Sequence, residues 1–147
     1  MAFKASFVVR GIPLPQPRHR ATVFLDKDKK PRARVYPDKR ADTWKDLIRT
    51  AAVDYRPEEV LLGPIALLVV CYLPRPKRLY RRKDPDGPVV AAVRPDWDNL
   101  GKLPCDVLSE EGWWRDDGQV YDGHVIKMYH GKTASPYIFI EVEEHDV

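Results

Sequence analysis

Gly63-Pro64 introduces Ile65 to Tyr72, a run that is apolar without interruption and rich in β-branched side chains. Such a run suits an interior strand, hydrogen-bonded on both edges and covered by other elements. The rest of the chain must therefore supply neighbouring strands and a layer to pack on them. With 147 residues it is long enough for one hydrophobic core and too short for two. Residues 1–147 are accordingly expected to form a single domain.

The flanking segments fit that requirement. Phe3 to Ile12 alternates loosely and reads as a strand, and the following Pro13-Leu14-Pro15-Gln16-Pro17 is extended because proline excludes helix. Thr22 to Leu25 and Arg32 to Tyr36, joined by Asp26-Lys27-Asp28-Lys29-Lys30, read as a basic hairpin. From Pro37 or Asp38 to Val53, the apolar residues Ala41, Trp44, Leu47, Ile48 and Ala51 recur at three- and four-residue steps, which predicts a helix that Pro57 limits. Residues 74–93 are rich in Pro, Arg, Lys and Gly without periodicity, which predicts a long, flexible basic surface loop. A second helix is expected from Asn99 to Ser109 or Glu110, capped by Asp98, with Leu100, Leu103, Val107 and Leu108 as its stripe. Pro104 removes one bond within it and predicts a kink. Gln119 to Tyr129 and Tyr137 to Val142 are the last strands, with a turn at Gly131-Lys132. The order predicts an α+β domain with a mixed or antiparallel sheet packed against two main helices.

Charge is unevenly distributed. Nine Lys or Arg face three Asp between Arg18 and Arg40, and six more stand between Arg75 and Lys83 without an acid. From Arg94 to Asp122 the balance reverses to eight acids and three bases. A surface of this kind attracts phosphate in one region and holds a cation in another, although ordinary solubility also explains charged runs. Cys71 and Cys105 have no metal-ligand spacing and read as small buried apolar residues, in keeping with a reducing compartment. Met1 to Arg10 holds no apolar run of signal length, and no run approaches a membrane span. The expected setting is cytoplasmic.

The acids form a pattern. Asp96 and Asp98 sit two apart at a helix entry, Lys102 follows Asp98 by one turn, Asp106 follows Lys102 by another, and Asp116-Asp117 arrives from a separate loop. Taken singly, Asp98 is a helix cap, Lys102 an i,i+4 partner, Asp106 an orienting group and Asp116-Asp117-Gly118 a turn. Together, clustered carboxylates repel one another unless a cation lies between them, and two or three suffice for Mg²⁺. Such an ion activates water and stabilises charge on a phosphodiester, with Lys102 placed to pair with a phosphate oxygen or the leaving group. The residues alone thus point to a divalent-metal site on a polyanion binder.

The segment Arg94-Pro95-Asp96-Trp97-Asp98-Asn99-Leu100-Gly101-Lys102 resembles the RusA family of Holliday junction resolvases, endodeoxyribonucleases of bacteria, prophages and phages. Asp106-Val107-Leu108, the run from Gly112 to Val120, Lys127, and the opening Gly11 to Pro15 with Arg18 and Arg20 extend the resemblance over nearly the whole chain. The resemblance implies metal-binding carboxylates at Asp96, Asp98 and Asp117, a catalytic Lys102, and accessory acids at Asp116 and Asp106. It also implies Mg²⁺, leaving open whether Mn²⁺ substitutes, and a homodimer that nicks opposing strands of a four-way junction or other branched DNA. Phosphate contacts are expected from Arg18, Arg20, Lys27, Lys29, Lys30, Arg32 and Arg34, and from Arg75, Lys77, Arg78, Arg81, Arg82 and Lys83 in the basic loop. Trp113 and Trp114 are candidates either for the dimer contact or for the core. His19 is a further phosphate contact or ordinary surface, and His124 and His130 lack ligand spacing. The competing readings are a non-catalytic module that binds branched DNA and a metal-dependent nuclease with another substrate.

Overall fold

In a computed structural model, which describes residues 2–17, 20–36 and 39–146, the eight expected elements follow in order, with one further short strand inside the segment expected to be loop. They are β1 (Lys4–Arg10), β2 (Arg20–Leu25), β3 (Pro31–Tyr36), α1 (Lys39–Ala52), β4 (Ile65–Leu73), β5 (Val89–Val90), α2 (Trp97–Glu110), β6 (Val120–Tyr129) and β7 (Tyr137–Glu144). The apolar run is β4, at the centre of a five-stranded sheet of order β1-β7-β4-β6-β5. β4 pairs antiparallel with β7 and parallel with β6, so the sheet is mixed. A parallel pair needs a long crossover, and the segment containing α2 supplies it. The chain is an α+β domain with two main helices.

Burial on β4 alternates strictly. Ile65, Leu67, Val69, Cys71 and Leu73 are buried, whereas Ala66, Leu68, Val70 and Tyr72 are only half-buried. The strand is interior within its sheet, yet just one face carries the core. α1 packs Ala41, Trp44, Ile48 and Ala52 into that core, and α2 packs Leu100, Leu103, Val107 and Leu108. Leu47, expected on the α1 stripe, is exposed instead. Trp113 and Trp114 are fully buried, with Trp113 against the rings of Phe3 and Phe7 at 6.0 and 5.7 Å. Their burial assigns both to the core and removes them as a protein–protein contact. A buried aromatic of this size contributes on the order of 4–6 kcal/mol of transfer free energy.

α2 begins at Trp97 with Asp96 in the capping position, and no side chain caps it. Asp98, expected as the cap, lies instead in the first turn. The boundary is one backbone conformation: Asp96 is extended and its carbonyl already accepts from the Leu100 amide at 3.2 Å. Pro104 is buried in mid-helix, and the helix continues unbroken through it to Glu110. The expected start of α1 at residue 37 or 38 lies outside the described residues.

Residues 74–93 contain a 3-10 turn (Lys77–Leu79) and the short strand β5. Arg75 organises them. Its guanidinium donates to the carbonyls of Leu79 (2.9 Å), Pro85 (2.8 Å), Gly87 (2.9 Å) and His130 (3.3 Å), and it is 6% exposed. Arg75 was expected among the phosphate contacts, and the structure corrects this, because its donors are already engaged with the loop's own backbone. Lys132 adds bonds to the carbonyls of Arg81 and Asp84.

α2 rests on β6 at one close approach. A Cβ on Gly101 would lie 2.3 Å from Cγ2 of Val125, far inside contact distance. Gly101→Ala gains about 1 kcal/mol of helix propensity but forces overpacking that costs about 1–3 kcal/mol. We expect urea unfolding to show a net loss of about 1 kcal/mol for Gly101→Ala, and no loss in a Val125→Ala background.

Candidate active site

The exposed face of α2 carries Asp98, Lys102 and Asp106 at four-residue steps, opposite its buried stripe. Asp96, Asp98 and Lys102 are exposed, and among the described residues none of them makes an ion pair. Two negative groups at a helix start are favoured by the macrodipole there. The loop before them is held from below: Nζ of Lys127 donates to the carbonyls of Val93 and, at 3.0 Å, Pro95. From the other side the Gln16 amide donates to the Asn99 carbonyl at 2.8 Å, which ties the proline-rich arm to the first turn of α2.

After Trp114 the chain enters a 3-10 turn (Asp117–Gln119). Asp116 caps it through Gly118, and the Gln119 side chain returns to the Arg115 and Asp116 amides at 2.8 and 2.9 Å. The same side chain donates to the Leu61 and Gly63 carbonyls, which docks the turn on the segment before β4. This leaves Asp117 pointing back toward α2. Its Oδ1 accepts from Nε1 of Trp114 at 3.0 Å and is 3.8 Å from Sγ of Cys105. Asp117 also contacts Asp106. Burial, then the charge of Asp117, pushes the Asp106 carboxyl above its ordinary value, against the lowering effect of Lys102. Burial chiefly, with Asp117 and Asp106 adding to it, pushes the Cys105 thiol up to about 12.

The fold therefore sorts the acids into two pairs on one helix. Asp96 and Asp98 stand at its start, and Asp106 faces Asp117 about 12 Å further along, eight residues at 1.5 Å each. Lys102 lies between them. Asp116 is occupied as a cap. Among the described residues no group of three or more His, Cys, Asp or Glu could hold a metal ion as placed. Both pairs are nevertheless all-oxygen donors, the chemistry a hard divalent cation takes. Mg²⁺ keeps several waters and needs only one or two carboxylates plus substrate phosphates. The Asp106–Asp117 contact, two carboxyls with no base between them, is where a cation would relieve the most repulsion.

The bases fall into groups. Lys27, Lys29 and Lys30 are exposed on the turn of the β2–β3 hairpin, which pairs only with itself. Arg32 is held by Asp26 at 3.0 Å, and Arg81 by Asp84 at 3.2 Å. Lys77, Arg78, Arg82 and Lys83 are exposed without an ion pair among the described residues. Arg18 and His19 lie outside the described residues, as do the side chains of Arg20 and Arg34. His124 pairs with Asp122 at 2.9 Å, and His130 is buried under the loop.

Residues 11–143 match the sequence family described as Endodeoxyribonuclease RusA. The chain belongs to that family. This RusA-family chain is 28% identical over 143 residues to the uncharacterised protein YqaN of Bacillus subtilis, a match covering 94% of each. It is 32% identical over 68 residues to the crossover junction endodeoxyribonuclease RusA of Escherichia coli K12 and to that of Enterobacteria phage 82. Those two matches cover 46% of this chain and 43% of each relative.

Two residues that position this site, Trp114 and Gln119, were not singled out for that role from the sequence. Trp114 precedes Asp117 by three residues, a spacing that allows a side-chain bond across a turn, but its burial was needed to reveal the donor. Gln119 carries the capping-box signature with Asp116.

The raised Asp106 carboxyl sets the sign of a stability effect. A folded-state value above the unfolded one penalises the ionised form, so the cost is present at neutral pH and vanishes below the ordinary carboxylate range. Asp106→Asn is expected to stabilise the metal-free protein at neutral pH, by under about 1 kcal/mol after solvent screening. Chemical denaturation should show that gain disappear as the pH falls below about 4.

Proposed function

We propose that this RusA-family chain is a divalent-metal-dependent, structure-specific endodeoxyribonuclease that resolves four-way DNA junctions by paired symmetric nicks. The observation that carries the reading is the exposed, unpaired set Asp96, Asp98 and Lys102 on one end of α2, with Asp117 brought to the same helix, inside a family of endodeoxyribonucleases. Relatives named as crossover junction endodeoxyribonucleases support the junction as substrate.

In this reading Asp96 with Asp98, and Asp117 beside Asp106, would hold Mg²⁺ or Mn²⁺ at two places along α2, where the ion would supply Lewis-acid stabilisation of the phosphate and a bound water of lowered pKa. Lys102 places its ammonium against a non-bridging oxygen, where its charge counts most as negative charge develops. Asp106 keeps that ammonium on the acidic face. Trp114 fixes the orientation of Asp117 through the indole bond, and Asp116 with Gln119 holds the turn that presents it. Lys77, Arg78, Arg82 and Lys83, with Lys27, Lys29 and Lys30 of the hairpin, take up backbone phosphates and set register without reading sequence. Binding then weakens steeply with salt.

Paired nicks on symmetric strands require two sites and hence two copies. The surface we assign to pairing is the uncovered face of the sheet. There Val8, Phe139, Val70 and Ile126 form one cross-strand row, and Tyr137, Tyr72 and Met128 lie in the next. The four long strands, about 4.8 Å apart and at least some seven residues long, give on the order of 400 Å² of flat area, about half of one side of a standard interface. Ile126→Glu, at a site already exposed in one copy, is expected to give a monomer in sedimentation equilibrium and to uncouple the two nicks.

The absence of three converging ligands among the described residues is the observation that favours a non-catalytic branched-DNA-binding module instead. End-labelled junction, matched duplex and single strand, each with Mg²⁺ or EDTA, separate the two. We expect symmetric nicks in the junction that need the metal and fall by at least about 100-fold in Asp98→Asn. Junction binding without cleavage in either Mg²⁺ or Mn²⁺ would leave the binding module. Equal cutting of duplex would keep the nuclease and remove the junction specificity.

A further inference from the structure

A cavity of about 430 Å³ opens directly beside the start of α2, and nothing in the proposed hydrolysis uses it. Leu14 and Pro15 of the proline-rich arm, Leu73 and Tyr129 at the ends of β4 and β6, and Val93 and Pro95 of the motif form its walls. Its size is in the range that takes a small organic ligand. Two further lining residues, Arg78 and Arg94, are exposed and make no ion pair among the described residues. Tyr129 is 7% exposed, and its hydroxyl makes no hydrogen bond to any described residue, which leaves it open to a ligand. The structure therefore offers an apolar-walled chamber, two guanidinium groups without an ion pair among the described residues and one open hydroxyl. Those features match a ligand with a planar body, polar edge atoms and an anionic tail.

We propose that this cavity receives one unstacked nucleobase of the strand held for cleavage, its phosphates taken by Arg78 and Arg94. The inference rests on the junction-nuclease reading above and adds to it a site that contacts a base. Asp96 follows the cavity residues Arg94 and Pro95 directly, so at most about 7 Å of backbone separates Arg94 from the first candidate ligand. A base in the cavity thus belongs to the nucleotide at or next to the phosphate that Asp96 and Asp98 address. Bases at a branch point are already poorly stacked, which keeps the cost of extrusion low. The apolar walls and an arginine plane provide stacking that a base of any identity can use. The Tyr129 hydroxyl, donor and acceptor at once, is available to hydrogen-bond an edge of whichever base enters.

The test uses the full-length protein and four-way junctions carrying 2-aminopurine at successive positions along one arm, in EDTA so that bound DNA stays intact. Junction binding is followed in parallel by gel shift. We expect a several-fold fluorescence rise at a single position at or beside the cut, and little change elsewhere. Val93→Trp, which fills the cavity, should abolish that rise while gel-shift affinity changes by less than about threefold. Arg78→Ala, at an exposed position that carries no packing, should reduce the rise and serves as the control if Val93→Trp unfolds. Junction binding with no position enhanced would overturn the base site and leave the resolvase reading intact. An enhancement that persists in Val93→Trp and Arg78→Ala would likewise place the extruded base elsewhere. Failure of the wild type to bind the junction at all would overturn both.

Discussion

The close approach of α2 to β6 at Gly101 and Val125 sets the geometry on which the rest of the molecule depends. With no side chain at Gly101, the helix lies against the sheet closely enough for Leu100, Leu103, Val107 and Leu108 to be sealed in the core. That buried stripe fixes the helix rotation, and rotation alone decides that Asp98, Lys102 and Asp106 face outward. Lys127, one residue beyond Ile126 on the same strand β6, ties down the loop that ends in Asp96. The helix start is therefore positioned by one strand through two different contacts, an apolar seat and a charged tether. Sites built on such regular elements are held more tightly than sites built on loops.

Uncompensated charge is the other organising constraint. Like charge would by itself drive Asp106 and Asp117 apart. Here the fold instead supports their contact with an indole donor and a capped turn. The resulting repulsion is a local cost carried by a core that includes two fully buried tryptophans. The positive residues divide in a complementary way. Arg75, Arg81 and Arg32 are engaged by the protein's own acceptors and shape the loop and hairpin, whereas Lys77, Arg78, Arg82 and Lys83 are exposed without an ion pair among the described residues. Counting basic residues in the sequence does not distinguish these roles, since a guanidinium serves equally well on a backbone carbonyl and on a phosphate.

Patterns carried by neighbouring residues were readable in advance. The apolar run from Ile65, the three- and four-residue period around Trp44, and the turn between the hairpin strands each identified its element, because strand and helix periodicities are local. The parallel pairing of β4 with β6 was left open as mixed or antiparallel, and the one-sided burial of β4 was not anticipated. Whether a strand's second face is covered depends on helices far away in sequence. The cap of α2 was misplaced by two residues because Asp96 and Asp98 are chemically equivalent candidates, and only backbone conformation separates them. Arg75 was read as a surface cation because its four carbonyl partners come from positions up to 55 residues away.

By itself, then, the sequence determined the element order, the α+β class and the acidic motif that carries the family resemblance, all of which follow from short-range spacing. Tertiary structure decided which residues share a surface: Trp113 and Trp114 in the core, Asp106 against Asp117, the cavity between the arm and the motif, and a sheet face left uncovered. Those outcomes depend on packing between segments far apart in the chain, where volume, close approach and desolvation act together and leave no periodic trace in the residues themselves.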